Sequence, residues 1–269
     1  MSALADAFAA AKAEGPAALV GYLPAGYPTV DAAIEAATAM VDGGCDIIEI
    51  GLPYTDPVMD GPTIQRAVDG ALAGGVRIAD VMRTVEAVAR TGAPTLVMTY
   101  WNPVEHYGVD RFARDLAAAG GVGVITPDLT PEEAGPWLEA TGAHGLETVF
   151  VVAPSSSDER IGIVAGITTG FVYAASVMGV TGARTTVGEA AEELVARTRK
   201  HTDGPVAVGL GVSTAEQAAQ VARYADGVIV GSAFVRCLLD ATEPAEGAAA
   251  AGRLAAQLAV GVRDRTPSV

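Results

Sequence analysis

Basic charge is scarce in this 269-residue chain. Its 17 lysines and arginines face 32 acids, for a formal net charge of −15, and they form no cluster. A nucleic-acid surface or an anionic membrane is therefore excluded as a partner, because each needs cations gathered on one face. Lysine itself is limited to Lys12 and Lys200. Both lie in helix-like segments rather than at strand ends, so a Schiff-base aldolase would lack its nucleophile. Cys45 and Cys237 are the only cysteines and form no C-x-x-C pair, which leaves no disulfide framework or zinc knuckle; both are expected as buried, reduced thiols. His106, His144 and His201 are scattered at no ligand spacing with the acids, so neither a metal nor a bound cofactor is expected. There is no Gly-x-Ser-x-Gly elbow and no Gly-x-Gly-x-x-Gly turn after the first strand-like run. No apolar stretch approaches the roughly 20 residues of a membrane span. The opening MSALADAFAAAKAEG sets acids among alanines with no basic lead, unlike a secretory signal. A soluble, cytoplasmic protein is expected.

Hydrophobic residues, by contrast, make up half the chain. Apolar runs of strand length recur at 17–23, 46–50, 95–100, 122–126, 147–153, 170–175, 205–210 and 227–231, each followed by a helix-like stretch. Several lack polar alternation, as parallel strands covered on both faces do. Helix starts are marked at Thr130-Pro131-Glu132-Glu133 and at Ser213-Thr214-Ala215-Glu216. Within 29–43, Val30, Ile34, Ala37 and Val41 fall on one face, with Gly43 as the stop. Ala-rich 245–261 reads as a closing helix. Eight β-α units in this length predict an α/β fold, a (β/α)8 TIM barrel with an additional N-terminal helix, as one domain over 1–269.

In such a barrel the chemistry lies at the C-terminal ends of the strands. Gly209-Leu210-Gly211 ends the seventh strand and Gly231-Ser232 the eighth. Glycines there let amides approach an anion, and helix N-termini add favourable dipoles, so phosphate is the expected ligand; simple tight turns are the alternative. In the stretch EIGLPYTDPVMDGP (49–62), strand alternation puts Ile47 and Glu49 on one face, and an inward Glu49 would have its pKa raised by burial into the range of proton transfer. A structural acid tied to backbone is the competing reading. Asp60 sits in a Pro- and Gly-restrained loop able to aim it across the opening, although Asp before Gly61 is also a common turn. Asp56 reads as an exposed turn or contact residue.

GYLPAGYPT (21–29), DIIEIGLPYTDPVMDGPTIQ (46–65), MTYWNP (98–103), GVTGAR (179–184), GLGVST (209–214) and VGSAFV (230–235) together resemble the alpha subunits of tryptophan synthase, in order and over nearly the whole chain. The resemblance implies a lyase that splits indole-3-glycerol phosphate into indole and glyceraldehyde 3-phosphate. Glu49 and Asp60 match the family's catalytic positions. Tyr22, Tyr100 and Tyr173 would surround the indole and glycerol portions, and Gly182, Gly211, Gly231 and Ser232 would hold phosphate. Loop 179–188 would close over the site, with Thr181 reaching toward Asp60. The resemblance also implies a pyridoxal-phosphate-dependent beta subunit as partner in an alpha2beta2 complex, contacted through Pro53, Asp56 and Pro57, while this chain binds no such cofactor. Tyr22 and Leu210 stand where many relatives have Phe, and Val177-Met178 replace an Arg-containing pair. Other readings are a sugar-phosphate isomerase or epimerase, a non-catalytic activating subunit, and a stand-alone indole-releasing lyase.

Overall fold

In a computed structural model, the protein is described over residues 2–176, 184–209 and 211–265, with the backbone alone at 184–187. The first half runs α1 (Ala3–Glu14), β1 (Ala18–Pro24), α2 (Val30–Asp42), β2 (Ile47–Gly51), α3 (Pro62–Ala73), α4 (Ile78–Ala89), β3 (Thr95–Met98), α5 (Trp101–Tyr107), α6 (Val109–Ala118) and β4 (Gly123–Ile125). The second runs α7 (Gly135–Ala143), β5 (Glu147–Val149), β6 (Val151–Val152), α8 (Asp158–Ile167), β7 (Val172–Ala175), α9 (Arg184–Thr198), β8 (Val206–Gly209), α10 (Ala215–Ala222), β9 (Gly227–Val230), α11 (Ser232–Leu239) and α12 (Pro244–Val262).

Every strand pairing is parallel, in the order β5-β4-β3-β2-β1-β9-β8-β7-β6. The two ends of that order are halves of one extended segment, interrupted only at Phe150, whose carbonyl accepts the Tyr173 N–H at 3.0 Å. The nine strands of the described residues are thus eight staves of a nearly closed barrel, one for each apolar run predicted. Ala18, Val20, Ile47, Leu96, Ile125, Val149, Phe171, Ala207 and Ile229 fill its interior together with Leu4, Phe8 and Ala11 of α1. Helix α1 therefore stops the N-terminal mouth: the Phe8 ring meets Phe171 edge-on, with centroids 5.6 Å apart.

Four local expectations change. The buried stripe of α2 is Ala32, Ala33, Ala36, Ala37 and Met40, whereas Val30, Ile34 and Val41 are only partly buried. Small residues win that face because α12 packs close: a Cβ on Gly43 would lie 2.7 Å from Ala255 Cβ. Thr130–Glu133 forms a turn, closed by Glu133 N–H to Thr130 carbonyl at 3.1 Å, and α7 starts only at Gly135. Pro136 lacks the N–H that would continue a helix from that turn. The cap of α10 is Thr214, one residue later than predicted, and accepts from the Gln217 N–H. Cys45 is buried, but Cys237 is half-buried, with its thiol directed at the Ala233 carbonyl.

Candidate active site

Glu49 is fully buried and lies two residues beyond Ile47, which belongs to the barrel interior; the period of a strand therefore aims its carboxyl inward, near the C-terminal rim. Among the described residues neither carboxyl oxygen has a hydrogen-bond partner. Burial alone accounts for its pKa, pushed up to about 8. A carboxyl group in this state is protonated near neutrality and able to release its proton there.

Tyr22 is the neighbour of Glu49 in the register of β1 and β2. Its ring leans over Gly51, where an added Cβ would lie 2.7 Å from Tyr22 Cζ, and approaches Gly231, where it would lie 3.3 Å from Tyr22 Cδ1. Tyr173 lies over Gly209 in the same way, 2.8 Å from an added Cβ to Tyr173 Cε1. Gly209 was predicted as part of a phosphate turn; its structural use is to make room for a tyrosine. Glycine inside a strand often marks such a close approach, so a signal for the two tyrosines was present in the sequence.

Asp60 is half-buried. Its Oδ1 accepts the Tyr100 hydroxyl at 3.1 Å, and the hydroxyl oxygen accepts the Met59 N–H at 3.1 Å. Burial raises the Asp60 pKa and the Tyr100 hydrogen bond opposes that rise. Tyr100 is itself buried, and the Tyr54 ring packs on it at 5.6 Å between centroids. Tyr54 was missed in the sequence, since nothing in a Pro-rich loop indicates which ring it folds against. Pro53 is buried, whereas Thr55 and Asp56 are exposed together with Val58 and Met59.

At the other side of the rim, β8 and β9 are paired neighbours. Gly211 takes a left-handed backbone, φ +70°, that glycine accepts without strain, and α10 begins shortly after it. Gly231 precedes α11, whose first residue is Ser232. First-turn amides have no partner within their own helix, so the starts of these two helices, which follow adjacent strands, are candidate seats for an anion. Glu49, Asp60, Tyr22, Tyr100, Tyr173, Gly211, Gly231 and Ser232 thus all belong to the C-terminal rim of the barrel. Val177, Met178, Thr181, Gly182 and Leu210 lie outside the described residues, as does most of loop 179–188. Lys12 is exposed on α1 at the opposite mouth, and Lys200 is exposed just beyond α9. Among the described residues no cluster of His, Cys, Asp and Glu could hold a metal, and no helix is long and apolar enough to cross a membrane.

The family model described as tryptophan synthase alpha chain matches residues 8–262. The tryptophan synthase alpha chain of Streptomyces avermitilis is 62% identical over 97% of this chain and 94% of its own length. That of Acidothermus cellulolyticus is 61% identical over 98% of each. Among solved structures, an aminoacrylate-bound tryptophan synthase from M. tuberculosis superposes with a TM-score of 0.88 at 53% identity, covering 98% of this chain and 100% of that one. Tryptophan synthase subunit alpha from Legionella pneumophila str. Paris retains a TM-score of 0.87 at 31% identity, over 97% of this chain and 98% of its own.

Proposed function

Since the chain belongs to the tryptophan synthase alpha chain family, lyases that cleave indole-3-glycerol phosphate in tryptophan biosynthesis, we propose that Glu49 and Asp60 perform this cleavage within one barrel domain. A retro-aldol cleavage needs an electron sink, and here the substrate supplies it. Glu49 donates its proton to indole C3, giving an indoleninium-like species. The C3 to glycerol bond then breaks, its electron pair restores the indole double bond, and the charged ring nitrogen is neutralised. The glycerol hydroxyl on the cleaved carbon loses its proton to the Glu49 carboxylate, which leaves glyceraldehyde 3-phosphate. Asp60 accepts a hydrogen bond from the indole N–H and stabilises the positive charge that develops there.

Gly211, Gly231 and Ser232 hold the phosphate through amides and helix starts, which reconciles an anionic substrate with a strongly acidic chain. Gly182 and Thr181 complete the site when loop 179–188 closes. Tyr22, Tyr100 and Tyr173 wall the indole and glycerol portions. The family pairs such chains with a beta subunit; the proposed assembly is alpha2beta2, with the loop that carries Pro53, Asp56 and Pro57 as the contact, in the cytoplasm.

The observation that carries this reading is the buried Glu49 carboxyl, unpartnered among the described residues, with a pKa about 8. Steady-state turnover of indole-3-glycerol phosphate, measured without and with beta subunit, tests it. Glu49→Gln should lower kcat roughly 100- to 10,000-fold, the contribution of a positioned general acid. Unchanged turnover in that variant would refute the assignment, and turnover of a simple sugar phosphate in place of the indole substrate would refute the reaction.

A further inference from the structure

Asp60 lies on a loop, and loops do not by themselves hold a carboxylate in one direction. Its anchor is 40 positions away in sequence: Tyr100, the residue preceding α5, closes two hydrogen bonds onto the loop, one to Asp60 Oδ1 and one from the Met59 N–H, both 3.1 Å. The Met59 amide can only donate. It occupies a lone pair of the phenol oxygen and leaves the phenol hydrogen for Asp60. Tyr100 is fixed in turn by the Tyr54 ring and by its chain neighbour, since the Trp101 N–H is held between both Asp128 oxygens at 2.9 and 3.1 Å.

We propose that Tyr100 is a positioning residue, whose phenol fixes the Asp60 carboxylate in the orientation that accepts an N–H from the substrate. The proposal rests on the reading of Asp60 given above and adds what makes the two acids different. Glu49, given no hydrogen bond by any described residue, keeps its proton near neutrality. Asp60, also drawn upward by burial, is held back by a phenol donor, because a hydrogen bond to the charged form favours ionisation. The described groups that feel the Asp60 charge are Tyr22, Tyr100 and Tyr173, all neutral phenols, and Glu49 faces two of them, Tyr22 and Tyr173. Burial raises Asp60 most, and the phenol of Tyr100 is the described group that opposes that rise. Environments that push two carboxyl groups apart are how one site obtains both an acid and an anion.

The test uses two substitutions of opposite sign in the full chain. Tyr100→Phe removes the donor; 3-fluorotyrosine at position 100 retains the ring and the hydroxyl but makes it a stronger donor. Carbon-13 NMR titration of Asp60 in the ligand-free protein is read beside the pH profile of kcat/KM. With Tyr100→Phe, the Asp60 midpoint and the acid limb should both move to higher pH, and kcat/KM at the optimum should fall roughly tenfold or more, as for one hydrogen bond to a charged group. With 3-fluorotyrosine, midpoint and limb should move to lower pH. The alkaline limb near about 8, set by Glu49, should stay in place. An Asp60 midpoint that moves in neither variant overturns the proposal. A midpoint that moves while the acid limb does not upholds the positioning by Tyr100 and removes Asp60 from the catalytic step.

Discussion

Glu49 affects stability as well as turnover. Its pKa is about 8 in the folded chain against an ordinary 4.5, so between those values the folded state keeps a proton that the unfolded state has released. Stability attributable to this group is therefore fully present below the ordinary value, falls as pH rises through the window, and levels off above about 8. Glu49→Gln abolishes the titration. In urea denaturation the variant should gain on the parent between pH 5 and pH 9, by a few kcal/mol as an order of magnitude. A difference that stays constant across that range would show the carboxyl to be solvated. The inward direction of Glu49 was legible in the sequence, because strand alternation ties it to Ile47. Its lack of a partner was not, because that depends on which side chains from other strands reach it. The contact between Asp60 and Tyr100 was hidden for the same reason: loop geometry, not periodicity, brings them together.

Among elements, strands were read more accurately than helix faces. Each apolar run became a stave because a strand covered on both sides has little choice but to be apolar, as in β1, buried along its whole length. Helix faces depend on the neighbour's shape: α2 buries alanines, and the Ala-rich α12 is a closing helix because small residues permit close approach. Gly261 of α12 shows how tight that approach is. A Cβ there would lie 2.9 Å from both the Cα and the carbonyl carbon of Ala215, the first residue of α10. In an open helix Gly→Ala is stabilising by up to about 1 kcal/mol. Here Gly261→Ala should instead cost about 1–3 kcal/mol from overpacking against backbone, measured by chemical denaturation. The displaced start of α10 should also weaken the anion seat at Gly211, so KM for the phosphorylated substrate should rise more than kcat falls. A stabilised variant with unchanged KM would disprove this coupling.

Across the whole molecule, the first helix, the entry to the second strand and the end of the last helix meet at one arginine. Arg263, immediately after α12, donates to Asp46 at 2.9 Å and to Glu14 at 3.1 Å, while the second Asp46 oxygen accepts the Leu19 N–H at 2.7 Å. It links the end of the plug α1, the entry to β2 and the chain after α12, at the pole opposite the active site. Asp46 is drawn upward in pKa first by burial, and the Leu19 amide and Arg263 oppose that rise. Removing the cation leaves a mostly buried carboxylate with only part of its compensation, and breaking such a pair costs more than replacing it whole. Arg263→Met should therefore destabilise the chain by about 1–3 kcal/mol near pH 7, with kcat/KM unchanged. The loss should shrink as pH falls and Asp46 takes up a proton, and Asp46→Asn should recover part of it in the double variant. A double variant whose loss equals the sum of the two single losses would mean that the contact is an ordinary surface pair, and that closure of the barrel's lower pole rests on the apolar plug of Leu4, Phe8 and Ala11 alone.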